Sequence, residues 1–352
     1  MKYAFPFAAV VALVLIALIG VQIPGMQYFF GVVIPYLALA LFLGGFCYRV
    51  MHWAKSPIPF KIPTTCGQAY SPLPGIKQDK LEAPNNTSQV VARMFLEIVL
   101  FRSLWRNTKA SIYDGPKLTY ESSKWLWLFA ILFHYSFLVV VIRHMRLFME
   151  PVPFFVSFIE TGDSLLQIGA PTMYMTDLTL VLGLLFLFGR RLVNANVRYL
   201  SLANDYFPLF LLLGVATTGI LMRFYLRTEV DINAIKQLAV GLVTLHPTIT
   251  ADISAIFYAH LFLVCSLLAY FPFSKLMHMG GVFLSPTRNM PNNSRMVRHI
   301  NPWNPDIKPH SYASYEDEFR EDMVEQGIPV EKEPPPKPEP EAEAEPQEEA
   351  AE

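Results

Sequence analysis

The chain carries eight histidines, His52, His134, His144, His246, His260, His278, His299 and His310. Four are set apart by their surroundings: His134 and His144 lie in one long apolar run, and His260 and His278 lie within and just beyond another. An ionisable ring in hydrocarbon is costly to bury, so its default reading is functional. Neutral imidazole is an axial ligand for haem iron. With an imidazole on each face the iron keeps no open position, so such a centre transfers electrons and does no bond chemistry. The other histidines lie elsewhere: His52 beside Trp53 suits an interfacial belt, His246 precedes Pro247 in a connection, and His299 and His310 are in a polar stretch.

The elements that must position the four rings are membrane helices. A hydrocarbon core of ~30 Å takes roughly 20 apolar residues as helix. Six stretches meet or approach that length, near 4–24, 28–50, 125–148, 174–193, 206–226 and 254–276. The first is read as a retained anchor, since no small-residue cleavage site follows it. Lysine and arginine in the connections set the orientation. Segment 49–124 has eleven basic residues, 147–173 has none, and 189–205 holds Arg190, Arg191 and Arg198. The mixed connection 227–253 is followed by Lys275, Arg288, Arg295 and Arg298. This alternation places both termini in the cytoplasm of a cell with an inner membrane.

In that orientation the third helix runs outward and the sixth inward. His134 then lies level with His278 near the inner side, and His144 with His260 near the outer side. Two cross-helix imidazole pairs stacked along the membrane normal are what two haems b require. Ten residues of helix span ~15 Å and eighteen span ~27 Å. The eighteen-residue pair would return to one helical face. The ~12 Å difference in height has to be absorbed by tilt and by a bend at Pro272.

Composition agrees with a membrane protein: 53% of residues are hydrophobic and 16% charged, against about 25% charged in soluble domains. The net charge of −1 conceals two halves, with 15 acidic and 3 basic residues from Glu316 to Glu352 and an excess of 11 basic residues before them. That basic excess is positive-inside bias and not a nucleic-acid footprint. Cys47, Cys66 and Cys265 are scattered, without the paired spacing of an iron–sulfur, zinc or covalent haem motif. We divide the chain into two N-terminal membrane helices (1–50), a cytoplasmic insertion (51–123), a four-helix core (124–290) and a polar segment with a disordered acidic tail (291–352). The insertion holds an amphipathic stretch from Ser88 to Asn107, suited to the headgroup plane or to a partner. The tail, from about Ser311, is too rich in Pro, Glu and Ala to offset its ordering entropy.

Three segments carry a resemblance: F133-H134-Y-S-F-L-V-V-V-I-R143-H144, G189-R190-R191-L-V-N-A-N-V-R198 and F271-P272-F273-S274-K275-L276-M277-H278. Together they resemble the membrane haem b (gamma) subunit of respiratory nitrate reductase over about residues 28–290. The extra first helix, the insertion and the acidic tail make the chain more similar to the membrane subunit M of the dissimilatory sulfite-reduction-associated (Dsr) complex, and to the membrane subunit of heterodisulfide reductase. The resemblance implies an all-α integral membrane protein, a six-helix transmembrane bundle of five gamma-like helices plus one N-terminal helix. It implies that His134 and His278 hold the inner haem iron and His144 and His260 the outer one, with Arg143 and Arg191 as basic partners of the cofactors. The gamma subunit has a lysine near its outer quinol site, whereas no Lys or Arg occurs here between Arg146 and Arg190. Glu160, Asp163, Asp177 and Gln167 are the local polar groups, so a quinone site there would use carboxylates.

The reading at this stage is a di-haem cytochrome b subunit passing electrons between menaquinol or menaquinone and a cytoplasmic iron–sulfur subunit of heterodisulfide-reductase type. Further membrane and periplasmic redox subunits are implied by the resemblance, and sulfite or sulfate respiration is the expected setting. A gamma-type subunit of a nitrate or heterodisulfide reductase is the alternative of the same class. A haem-free anchor or proton-coupled transporter is the alternative of another class, against which stands the absence of an internal sequence repeat.

Overall fold

The computed structural model describes residues 2–56, 75, 77–113, 115, 117–165, 172–250, 253–293 and 308–332. Cys66, Gln167, His299 and the acidic tail beyond Lys332 lie outside the described residues. The chain divides into two units, Met1–Trp303 and Asn304–Glu352. In the first, α1 (Ala4–Gly20) precedes α2 (Met26–Ala54), which carries a π-helical turn at Phe29–Val33. Then come α3 (Thr87–Leu100), α4 (Arg102–Arg106) and an antiparallel hairpin of β1 (Thr108–Tyr113) and β2 (Lys117–Ser122). The remainder is helical: α5 (Lys124–His144), α6 (Phe154–Ser164), α7 (Met175–Val193), α8 (Ala195–Leu200) and α9 (Ala203–Tyr225), ending in a π-helical turn at Leu221–Tyr225. After these follow α10 (Ile232–Val243), α11 (Ala255–Tyr270), α12 (His278–Gly281) and α13 (Pro286–Asn289). The second unit holds α14 (Tyr312–Glu325).

Among the described residues, four helical stretches are long and apolar enough to cross a bilayer: Met26–Ala54, Lys124–Leu147, Ala203–Tyr225 and Ala255–Phe273. The two other expected spans each fall short on one count. Helix α1 has only 17 residues, and α7 carries Asp177, Arg190 and Arg191 in its first and last turns. Packing runs from α5 to α7, from α7 to α9 and from α9 to α11, with α1 against α9 and α11 and α2 against α11. Gly183 allows the close approach of α5 and α7, because a Cβ there would stand 2.9 Å from the Phe133 Cβ. Around that crossing Leu180, Leu184 and Leu212 pack with Phe133 and Phe137. Leu37, Leu41, Leu138, Val141, Leu182 and Leu185 are exposed. That many long apolar side chains facing outward on apolar helices suit lipid as the solvent.

The structure corrects three expectations. The run 254–276 is not one helix: α11 ends at Tyr270, two 3₁₀ turns follow at Phe271–Phe273 and Lys275–Met277, and Ser274 between them is extended (φ −121°, ψ 175°). Pro272 lacks an amide hydrogen and its ring blocks the preceding turn. Ser274 then caps the new turn by accepting the Leu276 N–H at 3.1 Å. His278 is therefore placed by this break, and face counting over eighteen residues does not apply. The amphipathic stretch of the insertion is likewise two helices, parted at Phe101 (φ 50°, ψ 46°), and a β-hairpin follows it.

The third correction concerns the tail, which is helical over Tyr312–Glu325 rather than disordered from Ser311. Composition missed two local anchors. Ser311 accepts the Ser314 N–H at 3.2 Å, and the buried Glu316 carboxylate accepts the N–H groups of Glu331 and Lys332 at 2.8 and 2.9 Å. These backbone donors, Glu331 first, hold the Glu316 carboxyl below its ordinary value.

Candidate functional site: two cross-helix histidine pairs

Helix α5 presents His134 and His144, each with its Nδ1 at 2.7 Å from the carbonyl oxygen four residues earlier, Ala130 and Val140. A carbonyl can only accept, so each Nδ1 carries the hydrogen and each Nε2 keeps its lone pair. His278 Nδ1 donates in the same way to Lys275 O at 2.9 Å. His260 uses a side chain from another helix: its Nδ1 is 2.9 Å from Thr218 Oγ1, and that hydroxyl lies 2.8 Å from Gly214 O. With the hydroxyl hydrogen given to the carbonyl, Thr218 Oγ1 accepts from His260 Nδ1. Next to it, Gly219 keeps space for the ring; a Cβ there would stand 3.3 Å from His260 Cε1.

The rings meet in pairs across α5 and the α11 side. The centroids of His134 and His278 are 6.0 Å apart with planes at 88°. Those of His144 and His260 are 6.3 Å apart with planes at 14°. Two imidazoles bound on opposite sides of one metal at ~2 Å per metal–nitrogen bond have centroids about 6 Å apart. Both pairs have that spacing, and all four rings keep Nε2 free of hydrogen. Among the described residues no three His, Cys, Asp or Glu side chains gather to hold a bare ion. Two neutral imidazoles suit a metal already held in a plane by another ligand, as in haem, and orienting a ligating ring through its other nitrogen is the usual supporting contact.

Beside the His144–His260 pair lies a charged cluster. Arg143, buried, reaches Asp163 at 2.7 Å, Asp177 at 3.3 Å and the Thr176 hydroxyl at 3.3 Å, with its guanidinium 4.1 Å over the Tyr174 ring. Arg223, in the π-helical turn of α9, donates to the Tyr174 hydroxyl at 2.6 Å and to Glu160 at 3.2 Å. Arg146 donates to both Glu160 oxygens at 2.6 and 2.5 Å. Asp163 and Asp177 are thus held by Arg143, and Glu160 by Arg146 and Arg223. Arg191 lies elsewhere, donating to Ser201 Oγ at 3.0 Å; near it Lys275, three residues before His278, meets Asp205 at 2.5 Å.

Sequence reasoning passed over Thr218, Tyr174 and Arg223. An arginine at the end of an apolar run is itself a functional signal, so Arg223 could have been found. Thr218 could not, because its level relative to His260 depends on how α9 and α11 pack.

The long apolar helices and their lipid-suited outer faces define a helical membrane protein. The chain belongs to the nitrate reductase gamma subunit family, whose model matches residues 94–299. It is 46% identical over 283 residues to the Hdr-like menaquinol oxidoreductase cytochrome b-like subunit of Archaeoglobus fulgidus, covering 78% of this chain and 83% of that protein. The protein of the same description from Archaeoglobus profundus is 42% identical over 279 residues, covering 77% of this chain and 82% of its own length.

Proposed function

We propose that this chain is a di-haem cytochrome b subunit that spans the inner membrane six times and exchanges electrons with menaquinol or menaquinone. The observation that carries the reading is the pair of cross-helix imidazole sets, each ring fixed through Nδ1 with Nε2 left to bind a metal. His134 and His278 would hold the haem nearer the cytoplasm, and His144 and His260 the outer one. When bound, the haems supply one-electron transfer across the bilayer.

The chain's own residues manage position and protons. Thr218 orients His260, and Arg143 holds α5, α6 and α7 together beside His144 by bridging Asp163 and Asp177. Oxidation of a quinol releases two electrons and two protons, so a base is needed on the outer side. Glu160 is suited to that role: it is a carboxylate placed between Arg146 and Arg223 and lies beside the Tyr174 hydroxyl. Asp163 and Asp177, expected as quinone contacts, serve Arg143 in this reading.

On the inner side the basic insertion suits a cytoplasmic iron–sulfur partner of heterodisulfide-reductase type, since this chain lacks cysteines to hold clusters. The similarity to Hdr-like menaquinol oxidoreductase subunits supports menaquinol as the reductant, and the Dsr-like sequence features support sulfite or sulfate respiration. The test is haem reduction by a menaquinol analogue in membranes containing the complex. Glu160→Gln should slow it about 100-fold, the scale of losing a general base. An unchanged rate would remove Glu160 from the site.

A further inference from the structure

Helix α3 has its faces reversed relative to a soluble helix. Arg93 and Glu97 are 4% and 8% exposed, whereas Val91 and Phe95 are 62% and 61% exposed, with Ile98 and Leu100 also exposed. The buried charges find partners within the insertion, except that Arg93 Nε is buried without one among the described residues. Arg93 Nη1 donates to Glu82 O at 2.9 Å, and Glu97 accepts the Ser103 N–H at 3.2 Å as well as its hydroxyl. Arg102 and Arg106 each meet the Glu82 carboxylate at 2.5 Å. An inner face that holds Arg93 and Glu97 beside Val90, under an outer face of Val91, Phe95 and Ile98, is the pattern that hydrocarbon selects and water does not.

Contacts with α5 give the depth. Trp127 Nε1 donates to Leu100 O at 2.7 Å, the Tyr135 hydroxyl donates to Val99 O at 2.9 Å, and the Phe101 ring centroid is 5.0 Å from that of His134. The turn between α3 and α4 therefore sits beside the interior of a membrane-spanning helix, on the order of 10 Å along it from Lys124 at 1.5 Å per residue. The chain then returns: Asn107 O accepts the N–H of Ser123, immediately before α5, at 3.2 Å. Phe101, with its left-handed backbone, makes the reversal. At the exit Trp105 packs edge-on to Trp127 at 4.5 Å and lies 4.9 Å from Lys124 Nζ, the residue types of a membrane interface.

We propose that residues 86–107 form a re-entrant hairpin dipping into one leaflet, with Val91, Phe95 and Ile98 against phospholipid acyl chains. Its tip, Phe101, packs edge-on against His134. Lipid is the occupant because the stripe stands at the depth of α5's own exposed apolar face, where Trp125 and Leu138 face outward. The inference depends on α5 crossing the bilayer and is independent of haem.

The test places benzoylphenylalanine at Phe95, and separately at Val91, in the full-length chain in native membranes, followed by irradiation and mass spectrometry. The expected adduct is phospholipid at both positions. In parallel, Phe95→Cys should react with a membrane-impermeant maleimide about tenfold more slowly than Tyr120→Cys on the exposed hairpin, as a group among acyl chains does. Peptide-resolved detection separates these from the native cysteines. An adduct to a second polypeptide, or labelling of Phe95→Cys as fast as Tyr120→Cys, would overturn the proposal.

Discussion

The two histidine pairs have nearly equal centroid spacings, 6.0 and 6.3 Å, but are built differently. The inner pair is fixed by backbone alone, through Ala130 and Lys275 carbonyls, and one of its members stands after a broken helix. Its planes are crossed at 88°. The outer pair sits on two regular helices, takes a side-chain anchor from a third, and borders a cluster of arginines and carboxylates; its planes are nearly parallel at 14°. Backbone anchoring resists mutation because no side chain supplies it, whereas side-chain anchoring can be tuned. The outer site is therefore the adjustable one.

The largest effects that could break this comparison come from the rings themselves. His144→Ala and His260→Ala should each remove the same haem, and His134→Ala and His278→Ala the other, each losing about half the haem of the purified chain. Pyridine haemochrome assay and spectra read this directly; loss across the assigned pairs would dissolve the comparison. Arg143→Ala leaves Asp163 and Asp177 buried without their cation. We expect it to cost about 3–5 kcal/mol, the scale for breaking a buried pair, seen as a lowered unfolding temperature in detergent with the outer haem released first. Arg191→Ala should cost less, about 1 kcal/mol, because it loses a hydrogen bond to Ser201 and a weaker attraction to Asp205, which keeps Lys275.

Thr218→Val removes the oxygen that accepts from His260 while nearly keeping its shape. Outer haem affinity should fall about 10- to 100-fold, the usual cost of losing a supporting contact, with the inner haem unchanged in a haem titration. Equal weakening of both would mean that Thr218 serves only the fold. The smallest effect is spectroscopic. Crossed imidazole planes leave two iron d orbitals nearly equal in energy, so the inner haem should give the more axial low-spin EPR signal, and the outer one a rhombic signal. Two identical signals would show that the difference in plane angle is not kept once haem is bound.

Which rings meet was legible from the order of the apolar runs. The third and sixth run in opposite directions, so their histidines share levels as His134 with His278 and His144 with His260. The apolar runs likewise announced the helices. The break after Tyr270 was only half legible: Pro272 signalled a bend, but the extended Ser274 depends on local capping. Thr218 and Gly219 were not legible, since a threonine or glycine in an apolar helix becomes a supporting contact only when a neighbouring helix delivers a ring to it. The reversed faces of α3 were hidden too, because the sequence shows that the stretch is amphipathic and not which face turns inward. Helix α14 was missed because composition averages over a segment, and two well-placed anchors, Ser311 and Glu316, order part of it.

The central claim is that this chain holds two haems b between α5 and the α11 side, and the reduced-minus-oxidised optical spectrum of the purified full-length chain tests it most directly. The account predicts a b-type α-band with about two haems per polypeptide. A chain that purifies folded and without haem, or with one haem that survives the loss of any single histidine among the four, would contradict it.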